Sequence, residues 1–258
     1  VLICEYITII MIKLSIIRNL LPMVYILFLL SLSPSEAAEE KRILIYNAAS
    51  TSDTINEISK EWEKINNIKV NASSASSSSL AKQIINGAPT NIYISASWLL
   101  IEELKKNNII VANTIKPLFE NKLVLIANKD SNIEDIGIIS NNLKLKVIFD
   151  KYLNNRRISI ADPTHVPAGI YTQQALLKLN LWNNLNRNNM AWGGDVRRTL
   201  KFVALGNSPI GIVYYTDALA EKNVKIVGTF DTSLHKPIQY WVAGVEKFHT
   251  LKSKDFLN

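Results

Sequence analysis

Residues 157–171 read RISIADPTHVPAGIY, and this stretch decides the fold class. Its start is apolar and β-branched, which predicts a buried strand, and Pro163 marks the turn that follows. Pro167, followed by small residues, is typical of the first turn of a helix, which continues with Tyr171 and Ala175 on one face. A strand that passes through a short turn into an amphipathic helix is the repeating unit of an α/β protein.

The same unit recurs on both sides of this stretch. Further strands are predicted at residues 42–46, 68–70, 91–95, 122–127, 210–215, 224–227 and 238–245, and further helices begin near residues 55, 80, 99 and 196. The serine-rich run at 72–79 lies between a strand and a helix, so we predict a structured turn there and not a flexible linker. We therefore predict α/β architecture with mostly parallel sheets and flanking helices.

Composition and charge exclude several classes of partner. The 258 residues contain 29 Lys and Arg against 22 Asp and Glu, a net charge of +7, but the basic residues are scattered and form no block. We therefore expect no nucleic-acid partner. The chain has one cysteine, Cys4, and three histidines, so we expect no disulfide framework, no thiolate metal site and no histidine metal cluster.

The first 37 residues are predicted to form a signal peptide. A natural start at Met11 is followed by Lys13 and Arg18, an apolar run over residues 20–32, and small residues at 35 and 37. The apolar run after Arg18 is shorter than the roughly 20 residues that a membrane-spanning helix needs, which disfavours an anchor. We expect cleavage after Ala37 and a periplasmic mature protein.

Four segments share a design that points to an anion site. In each, a strand or turn ends in small residues where a helix begins, at Ser50, Ser77, Ala168 and Val196. Helix starts present unpaired N–H groups with partial positive charge, and serine adds a hydroxyl donor. None of these turns is built around a cation, since Arg197 and Arg198 follow Val196 at positions expected to face solvent. Each serine alone is equally compatible with a helix N-cap.

Five motifs resemble the periplasmic molybdate-binding proteins of molybdate ABC transporters. They are AAS at 48–50, ASSSSLA at 75–81, HVPAGIY at 165–171, DVR at 195–197 and GIVYYTD at 211–217. They occur in the order typical of that family and extend over nearly all of the chain after residue 37. HVPAGIY followed by DVR and GIVY is the specific part of the pattern.

The resemblance implies a two-domain clamshell of the type II solute-binding fold. Its first domain would combine residues 38–120 and 240–258, and its second would be 121–239. Relatives continue with a longer C-terminal helix than the residues before Asn258 supply. Molybdate or tungstate would be held without a cofactor, and with no metal other than that of the oxyanion, by donors at Ser50, Ser77, Ala168, Val196 and Tyr214. The expected partner of the monomer is a membrane permease.

Other functions remain open from the residues alone. A serine hydrolase would use Ser50 or Ser77 with His165, but no G-x-S-x-G motif is present, so we expect no enzyme. A ferric-ion protein would use Tyr214 and Tyr215 near Asp217. Phosphate carries a proton near neutral pH and needs an acceptor, whereas sulfate and molybdate need donors only. The preference for molybdate over sulfate rests on the resemblance.

Overall fold

The computed structural model describes residues 42–185 and 187–258. The predicted signal peptide, residues 1–37, lies outside these ranges. Within them, no helix is long and apolar enough to cross a membrane.

Strands and helices alternate along most of the described chain, as predicted. The strands are β1 (Arg42–Ala48), β2 (Lys69–Ala75), β3 (Ile92–Ser95), β4 (Lys116–Asn121), β5 (Leu123–Asn128), β6 (Ile138–Ile139), β7 (Ile158–Ala161), β8 (Met190–Gly193), β9 (Ile210–Tyr214), β10 (Val224–Phe230) and β11 (Ile238–Gly244). The α-helices are α1 (Ser52–Asn66), α2 (Ser77–Ile85), α3 (Trp98–Lys106), α4 (Leu143–Tyr152), α5 (Pro167–Lys178), α6 (Val196–Ala204), α7 (Tyr215–Ala220) and α8 (Leu251–Leu257).

The strands form two sheets, one on each side of the chain crossing after Asn121. The first sheet has the order β2-β1-β3-β11-β4 and the second has the order β6-β10-β5-β9-β7-β8. All second-sheet strands lie between Leu123 and Phe230, after which β11 returns to the first sheet. We call the elements of the first sheet with its helices the first half, and those between Leu123 and Phe230 the second half. The division into two domains that move separately stays a prediction.

The α/β class is confirmed, and the sheets are mixed, with antiparallel as well as parallel pairs of strands. Strand β11 runs antiparallel to both β3 and β4, and β5 runs antiparallel to both β9 and β10. Parallel pairs join β1 to β3, β6 to β10, and β7 to both β8 and β9. The reason is topological: β11 is the strand that brings the chain back into the first sheet, and β5 is the strand that enters the second.

Burial explains why the strands between residues 122 and 127 and between 210 and 214 are continuously apolar. Residues Leu123 to Ala127 have no exposed surface because helices or neighbouring strands cover both faces of β5. The serine-rich run is structured, as predicted: β2 extends to Ala75, and α2 begins two residues later. Helices α2 and α6 are followed by Gly87 and Gly206 with φ of 88° and 77°, the left-handed conformation that favours glycine after a helix.

Candidate functional site

All five residues predicted to bind the anion line one cavity between the two halves. Its lining consists of Ala48, Ala49, Ser50, Ser76, Ser77, Ala96, Val166, Pro167, Ala168, Asp195, Val196 and Tyr214. The cavity is small, with a volume of about 10 Å³. That is about the space that a single buried water needs, so only a compact ligand would fit among these residues.

The first half contributes two serines whose hydroxyls are already engaged. Ser50 lies in the single 3-10 turn between β1 and α1, and its Oγ is 2.6 Å from the hydroxyl of Tyr240. Ser77 is the first residue of α2, and its Oγ accepts a hydrogen bond from the Ala96 N–H at 3.0 Å. The N-cap of α2 is Ser76, which accepts from the Ser79 N–H. The interpretation of Ser50 and Ser77 as helix caps is therefore wrong.

The second half contributes two helix starts. Ala168 is the second residue of α5 and Val196 the first of α6, where backbone N–H groups have no partner within the helix. Asp195 is the N-cap of α6 and accepts from the Arg198 N–H. Gly169 allows α5 to pack on the end of β7, because a Cβ there would lie 2.2 Å from the Ala161 carbonyl oxygen. The small residues after Pro167 thus fix the position of the helix start.

Tyr214 completes the lining with an unpaired hydroxyl. It ends β9, is 1% exposed, and its Oη is buried with no hydrogen-bond partner among the described residues. Burial raises the pKa of this phenol well above its usual value, and the nearby Tyr240 adds to the effect. The group is therefore a neutral hydroxyl at physiological pH. A buried polar group without a partner is costly, and a ligand oxygen in the cavity would give it one.

Arg197 does not face solvent, so that expectation is wrong. Its side chain is 25% exposed, its Nη2 lies 2.7 Å from Asp53 of α1, and its Nε lies 2.5 Å from the buried Asp217. The contact with Asp217 is a close ion pair. Arg198, at 74% exposure, does face solvent as expected. Arg197 is not a lining residue of the cavity, and no Lys or Arg is among the described residues that line it.

The environment of Asp217 is unfavourable to its charge. Burial raises the pKa of its carboxyl to about 7, and the adjacent Arg197 guanidinium opposes that shift only in part. Asp217 follows Tyr214 by three residues and, with Arg197, connects α7 to the start of α6. This pair therefore holds in place the helix start that presents the Val196 N–H.

Sequence reasoning missed Tyr240 and Asn121. Tyr240 is fully buried, stacks on Phe119 with ring centroids 4.5 Å apart, and contacts Ser50 and the Asn121 amide. Ser50 and Tyr240 are separated by 190 residues, and neither Asn121 nor Tyr240 lies in a turn before a helix. No local pattern marks them, and only the pairing of β11 with β4 brings them together.

The geometry agrees with a known family. The sequence model described as bacterial extracellular solute-binding protein matches residues 43–258. The chain belongs to this family. The molybdate-binding protein ModA of Haemophilus influenzae is 39% identical over 221 residues, which are 85% of this chain and 84% of that protein. ModA of Escherichia coli is 38% identical over 219 residues, 85% of this chain and 83% of that protein.

A solved structure extends the comparison to the fold. The periplasmic molybdate-binding protein of Azotobacter vinelandii matches with a TM-score of 0.71 and 22% identity, covering 83% of this chain and 90% of that one. At this identity the likeness shows the fold alone. It confirms the predicted solute-binding architecture of two α/β sheets with flanking helices. The resemblance to molybdate-binding proteins noted from the motifs is confirmed by the two ModA relatives.

Members of a solute-binding family bind small molecules and are not enzymes. This confirms the expectation that the chain is not an enzyme. The position of His165 also disfavours a serine hydrolase. Its side chain is 46% exposed, contacts Thr164 and Asp162, and does not line the cavity that contains Ser50 and Ser77. A ferric site is equally unsupported. Tyr215 is not among the residues that line the cavity, and the described residues contain no group of three His, Cys, Asp or Glu side chains placed to hold a metal.

Proposed function

We propose that this chain captures molybdate or tungstate and delivers the oxyanion to the permease of an ABC transporter. The observation that carries the proposal is a small cavity lined by serine hydroxyls, helix starts and the unpaired Tyr214 hydroxyl, with no Lys or Arg among the described residues of its lining. Hydrogen bonds to charged groups are stronger than neutral ones, and helix starts favour anions. A compact anion would satisfy all of these donors together.

Each proposed donor has a defined role. Ser50 and Ser77 donate through their hydroxyls and backbone N–H groups, Ala168 and Val196 through backbone N–H groups, and Tyr214 through its phenol. The set contains donors from both halves, so the ligand holds the halves together. This supports a hinged protein with a first domain at 38–120 plus 240–258 and a second domain at 121–239.

The charge of the ligand follows from the donors. A fully ionised dianion needs hydrogen-bond donors only. The one carboxylate among the described residues of the lining, Asp195, is engaged as the cap of α6 by the Arg198 N–H and side chain, so the proposed donors favour molybdate, tungstate or sulfate over phosphate. Within that group, the choice of molybdate and tungstate rests on the relatives at 38% and 39% identity, whose names state that they bind molybdate. Molybdate and tungstate share the tetrahedral shape and charge that this set of donors recognises.

The cellular role follows from the family. An extracellular solute-binding protein acts outside the cytoplasmic membrane, which supports a periplasmic mature chain. Cleavage after Ala37 is proposed from the sequence pattern of the signal peptide. The mature chain would act as a monomer that docks on a membrane permease after closing around its ligand.

Thermal unfolding with a panel of anions tests the proposed function. A ligand that binds only the folded state raises stability by about 4 kcal/mol at a thousandfold excess over Kd. For a chain of this size that corresponds to an increase in Tm of roughly 8–16 °C. We expect such an increase with molybdate and with tungstate, and little change with sulfate or phosphate at the same concentration. An increase with phosphate or ferric ion alone would contradict the proposal.

A further inference from the structure

We infer that Tyr240, supported by Asn121, is a specificity-determining residue that keeps the Ser50 hydroxyl a hydrogen-bond donor towards the cavity. Tyr240 does not line the cavity, so it acts through Ser50 and is a positioning residue. The consequence is discrimination against oxyanions that carry a proton, such as hydrogen phosphate. The inference rests on the proposed function, because it concerns how the same cavity selects its anion.

The orientation of the Asn121 amide is the first step. Its Oδ1 accepts from the Lys122 N–H at 2.9 Å, and a backbone N–H can only donate. The amide nitrogen must therefore face the opposite way, where it donates to the Thr216 hydroxyl at 2.8 Å and to the Tyr240 hydroxyl at 3.3 Å. Reversing the amide would bring two donors together at Lys122 and leave the bond unmade.

The Tyr240 proton is the second step. The phenol oxygen accepts from Asn121, so its single proton is directed to its other neighbour, the Ser50 Oγ at 2.6 Å. Tyr240 is fully buried, and burial raises the pKa of its hydroxyl well above the usual value, so this proton is retained. Among the described residues, Ser50 Oγ has no other hydrogen-bond partner. The Ser50 proton is then left for the ligand.

The Ser77 hydroxyl is also a donor towards the cavity, but a backbone group fixes its direction. Its Oγ accepts from the Ala96 N–H, which cannot reverse, so its proton is also available to the cavity. Both serines therefore meet an anion as donors. Hydrogen phosphate and molybdate both carry two negative charges near pH 8, but only hydrogen phosphate brings a proton that needs an acceptor. The two ligands therefore differ in whether they need a hydrogen-bond acceptor, and a Ser50 hydroxyl that only donates cannot supply one.

The test compares Tyr240→Phe with the parent in binding of molybdate and hydrogen phosphate at pH 8, by calorimetry and competition. The variant keeps the buried ring and its stacking on Phe119 and removes only the hydroxyl. Ser50 is then free to turn and accept. We expect the ratio of the two dissociation constants to narrow by about tenfold, the value of one hydrogen bond. A merely structural role would weaken both ligands alike and leave the ratio unchanged.

Tyr93→Phe is the matched control. Tyr93 is also a buried tyrosine of the first sheet. Its hydroxyl donates to the Ser77 backbone carbonyl and is not bonded to the hydroxyl of Ser50 or of Ser77. We expect the ratio of the molybdate and hydrogen phosphate dissociation constants to be the same for Tyr93→Phe as for the parent. A change in the ratio as large as that of Tyr240→Phe would overturn the inference, because it would trace selectivity to general packing.

Asn121→Asp provides a second variant that inverts the polarity. The new carboxylate accepts from Tyr240, Tyr240 then accepts from Ser50, and Ser50 presents a lone pair to the ligand. We expect molybdate binding to weaken and the ratio to narrow in this variant also, which decides the matter if Tyr240→Phe does not fold. Unchanged ratios in the folded variants would overturn the role of Tyr240. A parent that binds neither molybdate nor tungstate would instead overturn the proposed function.

Discussion

The two halves of the cavity supply the same chemistry by different means. The first half presents the hydroxyls of Ser50 and Ser77, each held by a hydrogen bond to a group distant in sequence. The second half presents backbone N–H groups at Ala168 and Val196, whose direction is set by the helices that begin there. Side-chain donors depend on their neighbours for polarity, whereas backbone donors depend only on where the helix lies.

This difference has a consequence for mutations. If the proposed donors bind the ligand, replacing a side chain in the first half should change what the ligand touches, whereas replacing one in the second half leaves the N–H in place. The second half is therefore vulnerable to changes that displace α5 or α6, and the first half to changes of the serines themselves. The following predictions, in order of decreasing effect, test that contrast.

The largest effect is expected from Ser77→Asp. The new carboxylate would face a dianion across a buried cavity, and repulsion between two unit charges 4 Å apart is about 4 kcal/mol at an effective dielectric constant of 20. We expect binding of molybdate to weaken by at least about a thousandfold. Calorimetry gives the affinity, and the Tm of the free protein shows whether the fold is kept.

Ser78→Asp is the control for that substitution. Ser78 is the next residue in the first turn of α2, where a negative charge suits the helix dipole equally well, but it does not line the cavity. We expect this variant to bind molybdate far better than Ser77→Asp. Equal binding by the two variants would place Ser77 outside the site.

A smaller effect is expected from deleting a hydroxyl. Comparing this change in the first half with a side-chain change in the second half tests the contrast between side-chain and backbone donors. Ser50→Ala removes one hydrogen bond to a charged ligand, worth about 1.5–3 kcal/mol, so the affinity should fall by roughly ten- to hundredfold. Val196→Ala removes buried apolar groups but keeps the N–H, so it should lower stability and change affinity little. Calorimetry and thermal unfolding of both variants check this. An affinity loss at Val196 as large as at Ser50 would contradict a backbone role.

The helix starts could be predicted from the sequence, whereas the partners of the serines could not. Pro167 and the small residues after it mark the start of α5 locally, and Asp195 marks that of α6. The four consecutive serines at 76–79 do not reveal which one is the N-cap, because each has the same chemistry. The structure assigns the cap to Ser76 and leaves Ser77 for the cavity.

Long-range contacts account for what local patterns could not predict. Arg197 was expected to face solvent from the first turn of a helix, but it pairs with Asp53, which lies 144 residues earlier in the chain. The antiparallel strands β5 and β11 likewise depend on the path by which the chain crosses between sheets. Neither property is encoded in a local pattern. The five predicted site residues do line one cavity, and each lies at a local transition into a helix that the sequence pattern shows.

Gly169→Ala tests the second half through the position of α5. An added Cβ would overlap the Ala161 carbonyl, and overpacking of this kind costs about 1–3 kcal/mol in stability. We expect a lower Tm and a weaker affinity, since the Ala168 N–H moves with the helix. Gly194→Ala is the control, because the nearest atom there is the end of the flexible Arg198 side chain at 3.3 Å. If Gly169→Ala binds like the control, the position of α5 is not critical.

The ion pair between Arg197 and Asp53 connects the two halves beside the cavity. Arg197 lies next to Val196 at the start of α6, and Asp53 lies in the first turn of α1, three residues after Ser50. The pair can form only when the halves are together, so it should favour the proposed closed state over an open one. Asp53 is 66% exposed, however, and exposed ion pairs contribute only about 0.2–1 kcal/mol.

The smallest effect is therefore expected from Asp53→Asn, and its sign is informative. Loss of the ion pair should weaken molybdate binding by at most about fivefold, mainly through faster release. Removing a negative charge near a dianion should by itself strengthen binding, so the two contributions oppose each other. Glu61→Gln removes the same charge from α1 and breaks only a pair with Lys64 inside that helix, so it controls for the change in net charge. Stopped-flow release rates at low salt should be faster for Asp53→Asn than for Glu61→Gln, and the difference should shrink at high salt, where exposed charges are screened. Equal release rates in the two variants at low salt would show that the ion pair does not hold the halves together.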